Sequence, residues 1–296
     1  MKSRDALERL ARRLEQADSL DAPSDAAARV LGRLLAPRAL TDVLSGTPLG
    51  HPLHPVLVAV PIGSWTAASW LDATGGSRRA ATRLVGLGTL AAVPTALSGM
   101  NDWLTTVGGE RRVGATHGAL NSVALVLYSA SWVARRRGRW SHGVVLALAG
   151  AAALGGAGWL GGHLVYGMGV GVDTTSFQHL PDDWTDVAAE PDVTSGRGMV
   201  GDAGGVPVLL ARDGRRIVAM ADRCTHRGGP LHEGQIVDEC VICPWHDSVF
   251  KLADGSVVSG PATRPQPTLE VRVVDGRVEV RRAAEVRSLR TNPAGV

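Results

Sequence analysis

The sequence of 296 residues predicts a multidomain protein, in which an all-α four-helix transmembrane bundle is followed by an all-β antiparallel sandwich. Two observations predict these halves. The N-terminal half contains four long stretches without Asp, Glu, Lys or Arg, and the C-terminal third contains three Asp-Gly pairs flanked by apolar runs. The predicted segments are an amphipathic N-terminal segment at 1–42, the spans at 43–175, a linker at 176–183, the β domain at 184–282 and a disordered tail at 283–296.

The N-terminal segment begins with an amphipathic pattern. Leu7, Leu10 and Leu14 fall on one face of a helix predicted over 4–17, and arginines occupy its other faces. A basic amphipathic helix of this kind lies at a membrane surface or against a helix bundle. We expect it to have a structural role.

Each of the four uncharged stretches is long enough to cross the ~30 Å hydrocarbon core of a bilayer as a helix. They are rich in small residues, which favour close helix packing in lipid, and tryptophans lie mostly near their ends. An alanine-rich soluble bundle is the alternative, but its helices would need polar stripes that these stretches lack. The stretches are 43–71, 84–101, 113–134 and 143–172.

The charge distribution indicates a membrane rather than a nucleic acid as the partner. The net charge is only +3, and no basic stripe is interleaved with stacking aromatics. The loops at 78–83 and 135–139 carry more arginine than the loops on the other side of the predicted spans. Because arginine-rich loops stay in the cytoplasm, we expect a bacterial cell-membrane protein whose C-terminal domain lies at the outer face.

The C-terminal third predicts a small antiparallel sandwich. Asp-Gly pairs at 213–214, 254–255 and 275–276 each lie between two apolar runs, which is the pattern of a short β-hairpin. A sheet of this kind would hold the intervening loops rigidly.

Two motifs within this β region contain both cysteine and histidine. Cys224 and His226 lie in CTHRGGPL, and Cys243 and His246 lie in CPWHDSVF. Two thiolates and two imidazoles suit a [2Fe-2S] centre of the Rieske kind, because sulfur ligates one iron and nitrogen the other. Tetrahedral zinc also accepts this set, but the tight Cys-x-His spacing fits zinc loops poorly. The third cysteine, Cys240, is expected to be a small buried residue on the strand entering the second motif.

On these two motifs, residues 184–282 resemble a Rieske ferredoxin-like domain. The resemblance implies that Cys224 and Cys243 hold a buried ferric iron, whereas His226 and His246 hold the outer iron near the surface. It also implies that the protein moves electrons.

The region departs from the family in ways that bear on its reduction potential. Gly229 and Trp245 occupy the places of two extra cysteines found in the respiratory version, so no disulfide is expected there. Phe250 replaces a tyrosine whose hydroxyl approaches a cluster sulfur, and Ser248 is expected to donate one such bond. Fewer hydrogen bonds to sulfur predict a low potential. Asp247 stands where the family most often has glycine, which leaves the local turn open.

The spans resemble an uncharacterised family of small bacterial four-span membrane domains whose first span opens with a His-Pro-x-His-Pro motif, here HPLHP. The resemblance covers residues 45–175 and implies a topology rather than an activity. With four antiparallel helices, His51, His54, His117 and His163 fall on one side of the membrane.

These histidines suggest a second cofactor. Paired imidazoles on facing helices can hold a b-type haem, and His117 and His163 are the candidates for its ligands. His51 and His54 each precede a proline, which biases them away from helix and towards loops or caps. A quinone or proton role and plain hydrogen bonding between helices are the alternatives.

The sequence therefore predicts an electron carrier with one low-potential Rieske cluster, with membrane lipid and an unknown redox donor and acceptor as its partners. One alternative is a membrane redox enzyme subunit, in which the spans bind haem or quinone. Another is a metal-binding interaction module without a reversible couple. Oxygenase catalysis is disfavoured, because the remaining sequence offers no two-histidine, one-carboxylate set for a mononuclear iron.

Overall fold

Within the residues that the structure describes, seven α-helices precede ten strands, so the helical and β regions follow each other as the sequence predicted. The computed structural model describes residues 2–283, and the predicted tail lies outside them apart from its first residue. The chain forms two compact units. The helical unit consists of Pro52–Val170 with the residues up to Ser45, and the β unit consists of Gly46–His51 with the residues from Gly171 onward.

The helical unit has three helices before its four long ones, where the sequence predicted one. The first matches the predicted amphipathic helix, and the second and third were missed. The seven helices are α1 (Lys2–Glu15), α2 (Asp21–Leu34), α3 (Arg38–Ser45), α4 (Leu53–Ala73), α5 (Arg78–Trp103), α6 (Gly108–Arg136) and α7 (Trp140–Gly162). A single π-helical turn, His163–Gly167, extends α7.

Polar contacts, rather than an apolar pattern, attach α2 to the long helices. Arg112 of α6 binds the Asp21 carboxylate through Nε at 2.6 Å, and Arg111 Nη1 lies 2.8 Å from Asp25 Oδ1. The Arg112 guanidinium holds the pKa of Asp21 below its usual value. These contacts join residues far apart in sequence, which is why periodicity alone did not predict α2.

Among the described residues, three helices are long and apolar enough to cross a membrane, namely Leu53–Ala73, Arg78–Trp103 and Trp140–Gly167. The sequence predicted four spans. The remaining long helix, α6, has 29 residues but begins and ends with charged side chains. Its polar residues lower the mean hydropathy of a segment that is nevertheless long enough to span a bilayer. The charged residues are Glu110, Arg111 and Arg112 at its start and Arg135 and Arg136 at its end.

Two antiparallel sheets make up the β unit. The larger has the order β1-β10-β9-β4-β3-β2, and the smaller has the order β5-β6-β7-β8. The strands are β1 (Thr185–Ala189), β2 (Met199–Asp202), β3 (Pro207–Asp213), β4 (Arg216–Ala221), β5 (Gln235–Val237), β6 (Cys240–Ile242), β7 (Val249–Lys251), β8 (Val257–Ser259), β9 (Thr268–Val274) and β10 (Arg277–Arg282).

The three predicted hairpins join β3 to β4, β7 to β8 and β9 to β10. In the last hairpin, Asp275 and Gly276 both have positive φ, of 50° and 73°. That combination matches the twist of the flanking strands. In the first hairpin the loop is displaced by one residue, because Asp213 already pairs with Arg216.

The segment predicted as a linker at 176–183 packs within the β unit. Leu180 is buried in the core formed with Val208, Ala219 and Val280. The Arg282 amide donates to the carbonyl of Pro181 at 2.7 Å. The segment therefore contributes to the sandwich.

Candidate metal centre

The two Cys/His motifs form loops of the same backbone conformation. The first loop joins β4 to β5 and the second joins β6 to β7. In each loop the cysteine amide donates to the carbonyl five residues on, and the cysteine carbonyl accepts from the amide four residues on. The four hydrogen bonds are Cys224 N to Gly229 O at 2.9 Å, Gly228 N to Cys224 O at 2.8 Å, Cys243 N to Ser248 O at 2.8 Å and Asp247 N to Cys243 O at 3.1 Å.

Asp247 keeps the turn for which the family most often uses glycine. Its φ is 57°, and Gly228 at the matching place in the first loop has φ of 76°. Aspartate is among the few non-glycine residues that adopt this left-handed conformation at modest cost. The question that the sequence left open is therefore answered, because the turn is retained.

The structure brings the four candidate ligands together as two pairs. The thiols of Cys224 and Cys243 are hydrogen-bonded to each other, and each residue is only 1% exposed. The rings of His226 and His246 meet edge to face with centroids 5.1 Å apart, and both residues are half-buried. One sulfur pair inside and one nitrogen pair outside match the two unlike irons of a Rieske cluster.

A single zinc ion fits this arrangement less well. Among residues 2–283, no three or more His, Cys, Asp or Glu side chains are placed to hold one metal ion. Tetrahedral zinc needs all four ligands around one point. A two-iron centre needs only two protein ligands at each iron, which is what the paired arrangement offers.

Gly229 gives the centre room that a side chain would fill. A Cβ at this position would lie 2.8 Å from Cys243 Sγ and 3.1 Å from Trp245 Cγ. Gly229 and Trp245, at the two places where the respiratory version has its extra cysteines, therefore lie against each other. The glycine lets the first loop approach the sulfur closely.

The loop environment shifts the pKa values of three of the four candidate ligands. Burial, followed by the charges of His246 and Arg227, lowers the pKa of His226 to about 3. The ring is therefore neutral and retains a lone pair for a metal. The hydrogen bond from Cys224 lowers the pKa of Cys243 to about 7, and the same bond raises the pKa of Cys224.

Two side chains distant in sequence support the first loop. The buried Gln266 amide donates to the carbonyls of Ala221 at 2.6 Å and Arg223 at 2.7 Å, and its Oε1 accepts from the Thr225 amide at 3.1 Å. Thr174 donates its hydroxyl to the Cys224 carbonyl at 2.8 Å. Sequence analysis missed both residues, because neither belongs to a motif and only the fold brings them to the loop.

A histidine-carboxylate pair closes the base of the same loop. His232 Nδ1 lies 2.8 Å from Asp222 Oδ2, and the His232 amide donates to Asp222 Oδ1 at 2.8 Å. Asp222 precedes the loop and His232 follows it. The pair therefore fixes the two ends of the loop relative to each other.

Three residues around the second loop were singled out in the sequence, and the burial of one of them, Cys240, differs from the prediction. Cys240 lies on the entering strand, as predicted, but is only partly buried, because its neighbour Val241 is the residue that points into the core. Phe250 is fully buried. The Ser248 hydroxyl oxygen accepts from the Ala262 amide at 3.0 Å.

The four histidines of the predicted spans have different environments. His51 lies outside the helices, whereas His54 lies in the first turn of α4 and bonds to Thr95 O through Nδ1 at 3.0 Å. His117 bonds to Ala157 O and to the Asn121 amide. His163 Nε2 lies 2.7 Å from Glu15 Oε1. Of the two predicted haem ligands, His163 is thus engaged by a carboxylate of α1.

Two family models match separate regions of the chain. Residues 183–274 match the Rieske [2Fe-2S] domain. Residues 50–174 match a family described as a predicted membrane protein (DUF2231).

Among curated relatives, the anthranilate 1,2-dioxygenase ferredoxin subunit of Burkholderia cepacia is 34% identical over 98 residues, which are 33% of this chain and 91% of that protein. Ferredoxin CarAc of Metapseudomonas resinovorans is also 34% identical over 98 residues, covering 33% of this chain and 92% of that protein. Among solved structures, the ferredoxin of carbazole 1,9a-dioxygenase from Nocardioides aromaticivorans IC177 has a TM-score of 0.33 and 24% identity. That match covers 34% of this chain and all of the ferredoxin, 100%.

Proposed function

The chain belongs to the Rieske [2Fe-2S] family through residues 183–274, and from this premise we propose that it is a membrane-anchored carrier of single electrons. The two relatives described above are ferredoxins, and the Rieske domain of this chain carries a [2Fe-2S] cluster. The observation on which the proposal rests most is the pairing of two buried thiols with two half-exposed imidazoles at adjacent loop tips.

Cys224 and Cys243 would hold the inner iron, and His226 and His246 the outer one. The cluster supplies a site that accepts and returns one electron. The buried cysteines exclude water from its inner side, and the half-exposed imidazoles are the ligands that a partner protein can approach. The matched hydrogen bonds of the two loops, together with the hydrogen bonds from Gln266 to the first loop, hold these side chains in place.

A low reduction potential follows from the residues near the sulfurs. Phe250 offers no hydroxyl, and we expect the buried Ser248 hydroxyl to donate one hydrogen bond to a cluster sulfur. Because each additional hydrogen bond to sulfur raises the potential, we expect the couple to lie at the ferredoxin-like end of the Rieske range.

The helical unit would act as a multi-pass anchor in a bacterial cell membrane. Three apolar helices and the match to a predicted membrane protein family support membrane association. The arginine-rich loops favour the cytoplasm for one side, which would leave the β unit at the outer face. Because relatives named as ferredoxin subunits serve dioxygenases, the electron acceptor here would be a separate protein.

The ligand assignment is tested with the detergent-purified full chain. Cys243→Ser should abolish the visible absorbance and the reduced-state electron paramagnetic resonance signal. Cys240→Ser is the matched control, because Cys240 is partly exposed and lies outside the loop, and it should keep both signals. Survival of the reduced-state signal in Cys243→Ser would contradict the assignment.

A further inference from the structure

The helical unit contains an internal repeat that its sequence obscures. Three residues of α6 each lie 63 residues after a counterpart in α4, although only one of these three pairs has the same residue type. Two glycines of α7 follow two glycines of α5 at a spacing of 62 residues. The equivalent pairs are His54 with His117, Trp65 with Tyr128, Asp72 with Arg135, Gly88 with Gly150 and Gly99 with Gly161.

Equivalent residues make equivalent contacts within each helical hairpin. Trp65 packs on Gly88 in the first hairpin, where an added Cβ would lie 2.6 Å from Trp65 Nε1. Tyr128 packs on Gly150 in the second, where an added Cβ would lie 3.0 Å from the ring. The hairpins α4–α5 and α6–α7 are therefore two copies of one packing unit.

Equivalent residues also meet each other between the hairpins. The rings of Trp65 and Tyr128 stack with centroids 4.0 Å apart and planes within 2°. Arg135 Nη1 donates to Asp72 Oδ1 at 2.9 Å, and both side chains are buried. Contacts between matching positions are expected along an approximate two-fold axis, so the two hairpins are related by such an axis.

The two histidines follow the same rule. His54 Nδ1 lies 3.0 Å from Thr95 O, four residues before Gly99, and an added Cβ on Gly99 would lie 2.7 Å from the ring. His117 Nδ1 lies 2.8 Å from Ala157 O, four residues before Gly161, and an added Cβ there would lie 3.1 Å from the ring.

These contacts fix the protonation of both rings. A carbonyl oxygen only accepts hydrogen bonds, so each Nδ1 carries the proton and each Nε2 carries the lone pair. Holding Nδ1–H on a backbone carbonyl is how proteins orient a metal-binding imidazole. His54 precedes Trp65 by eleven residues and His117 precedes Tyr128 by eleven, which is about three helical turns, so each histidine lies on the helix face that carries the stacked aromatic ring.

We propose that His54 and His117 are the two axial ligands of a b-type haem bound in the helical unit. A bare metal ion would need more ligands, and no three metal-binding side chains converge within the described part of the chain. Haem needs only two, because the porphyrin supplies four nitrogens. This pair takes the place of His117 and His163, the candidate haem ligands named from the sequence, since His163 is bound to Glu15.

One side chain competes with this ligation. The Asn121 amide lies 3.0 Å from His117 Nε2 and must turn away before iron can bind there. Asn121 also bonds to the His117 carbonyl of its own helix at 3.1 Å, so its amide has another acceptor. Removing the amide should therefore strengthen haem binding rather than weaken it.

Haemin titration of the detergent-purified full chain tests the proposal. The wild type should bind one haemin per chain with the absorbance of six-coordinate, low-spin iron. His54→Gln and His117→Gln should each lose that species, and the control His163→Gln should keep it. Asn121→Ala should bind haemin about fivefold more tightly, the equivalent of one ordinary hydrogen bond.

The result does not depend on the cluster. The reduced-state resonance signal should persist in the His54, His117 and His163 variants, which checks that the β unit is folded in each, and Cys243→Ser should still bind haemin. Absence of saturable haemin binding by the wild type would overturn the proposal, as would a low-spin spectrum in His54→Gln identical to that of the wild type. An unchanged haemin affinity in Asn121→Ala would remove His117 as a ligand.

Discussion

Cys224 and Cys243 each begin a loop whose hydrogen bonds are the same, although the loops place histidine differently. Histidine follows the first cysteine by two residues and the second by three. Both loops require a left-handed residue four positions after the cysteine, supplied by Gly228 and by Asp247. Backbone conformation at single residues therefore decides where the ligands point.

Asp247→Gly and Asp247→Val separate the backbone from the carboxylate, because both remove the charge. The glycine variant should retain the cluster. The valine variant should be less stable than the glycine variant by about 1–2 kcal/mol, since a branched side chain disfavours positive φ. Urea unfolding followed by cluster absorbance measures the difference, and equal midpoints would show that the turn does not need this conformation.

At the scale of single residues, the sequence was enough to predict the candidate ligands but not the residues that hold the ligand loops in place. The four ligand candidates lie in two short motifs, so spacing and residue type identified them. Gln266 and Thr174 belong to no motif, and only tertiary structure brings them to the first loop. The hydrogen-bond partners of His163 and His54 could not be predicted either, because each histidine bonds to a helix that is distant in sequence.

Among the elements, the segment that follows α7 has a definite role in the site. Thr174 lies seven residues after the end of the π-helical turn and donates to the Cys224 carbonyl. Both residues belong to the β unit, so this hydrogen bond attaches the start of that unit to its first ligand loop.

Thr174→Val should lower the unfolding free energy of the β unit by about 1 kcal/mol, because it keeps the shape but leaves the carbonyl without this donor. Thr174→Ser, which keeps a hydroxyl, should restore most of the loss. Thr185→Val is the control, since that hydroxyl serves an exposed carbonyl. The cluster-monitored urea midpoint measures all three variants. Equal midpoints for Thr174→Val and the wild type would exclude a stabilising role.

Helix α2 should depend on ion pairs with α6. The pKa of Asp21 is lower in the folded protein than its ordinary value of 3.8. The ion pair of Asp21 therefore stabilises the fold fully above pH 3.8, and this stabilisation is lost as the pH falls through the lowered pKa of the folded state. Arg112→Ala should raise hydrogen exchange in residues 2–34 at neutral pH, and the wild type should show that increase only in acid. Arg12→Ala, at an exposed pair, is the control. Unchanged exchange in Arg112→Ala would refute the dependence.

Element prediction succeeded where the local pattern is strong. The uncharged stretches became α4 to α7, and the Asp-Gly pairs became hairpins. It failed for α2, which polar contacts to α6 hold in place. The repeat of the long helices was missed because contacting equivalents such as Asp72 and Arg135 are complementary rather than similar.

One chain combines a region suited to lipid with regions suited to water. Charge is concentrated in the N-terminal segment, short loops and the β unit, and three helices are suited to a bilayer. Whole-chain composition averages these halves and conceals them. Only the segregation of charge along the sequence predicted the helical unit and the β unit separately.

Placement of the β unit at the outer face can be tested with Cys240. Burial raises the pKa of this thiol, so labelling should be done at mildly alkaline pH. A membrane-impermeant maleimide should label the chain in intact spheroplasts, and Cys240→Ser should prevent it. Labelling that requires lysis would instead place the β unit in the cytoplasm.

The central claim is that two cysteines and two histidines share one two-iron cluster. The most direct test is the electron paramagnetic resonance spectrum, with its nitrogen couplings, of the reduced full chain labelled with ¹⁵N-histidine. We predict one unpaired spin per chain, coupled to nitrogens of two histidines. His226→Ala and His246→Ala should each abolish this two-histidine signature. A reduced cluster without histidine nitrogen coupling, or a chain that holds a single metal ion, would contradict the account.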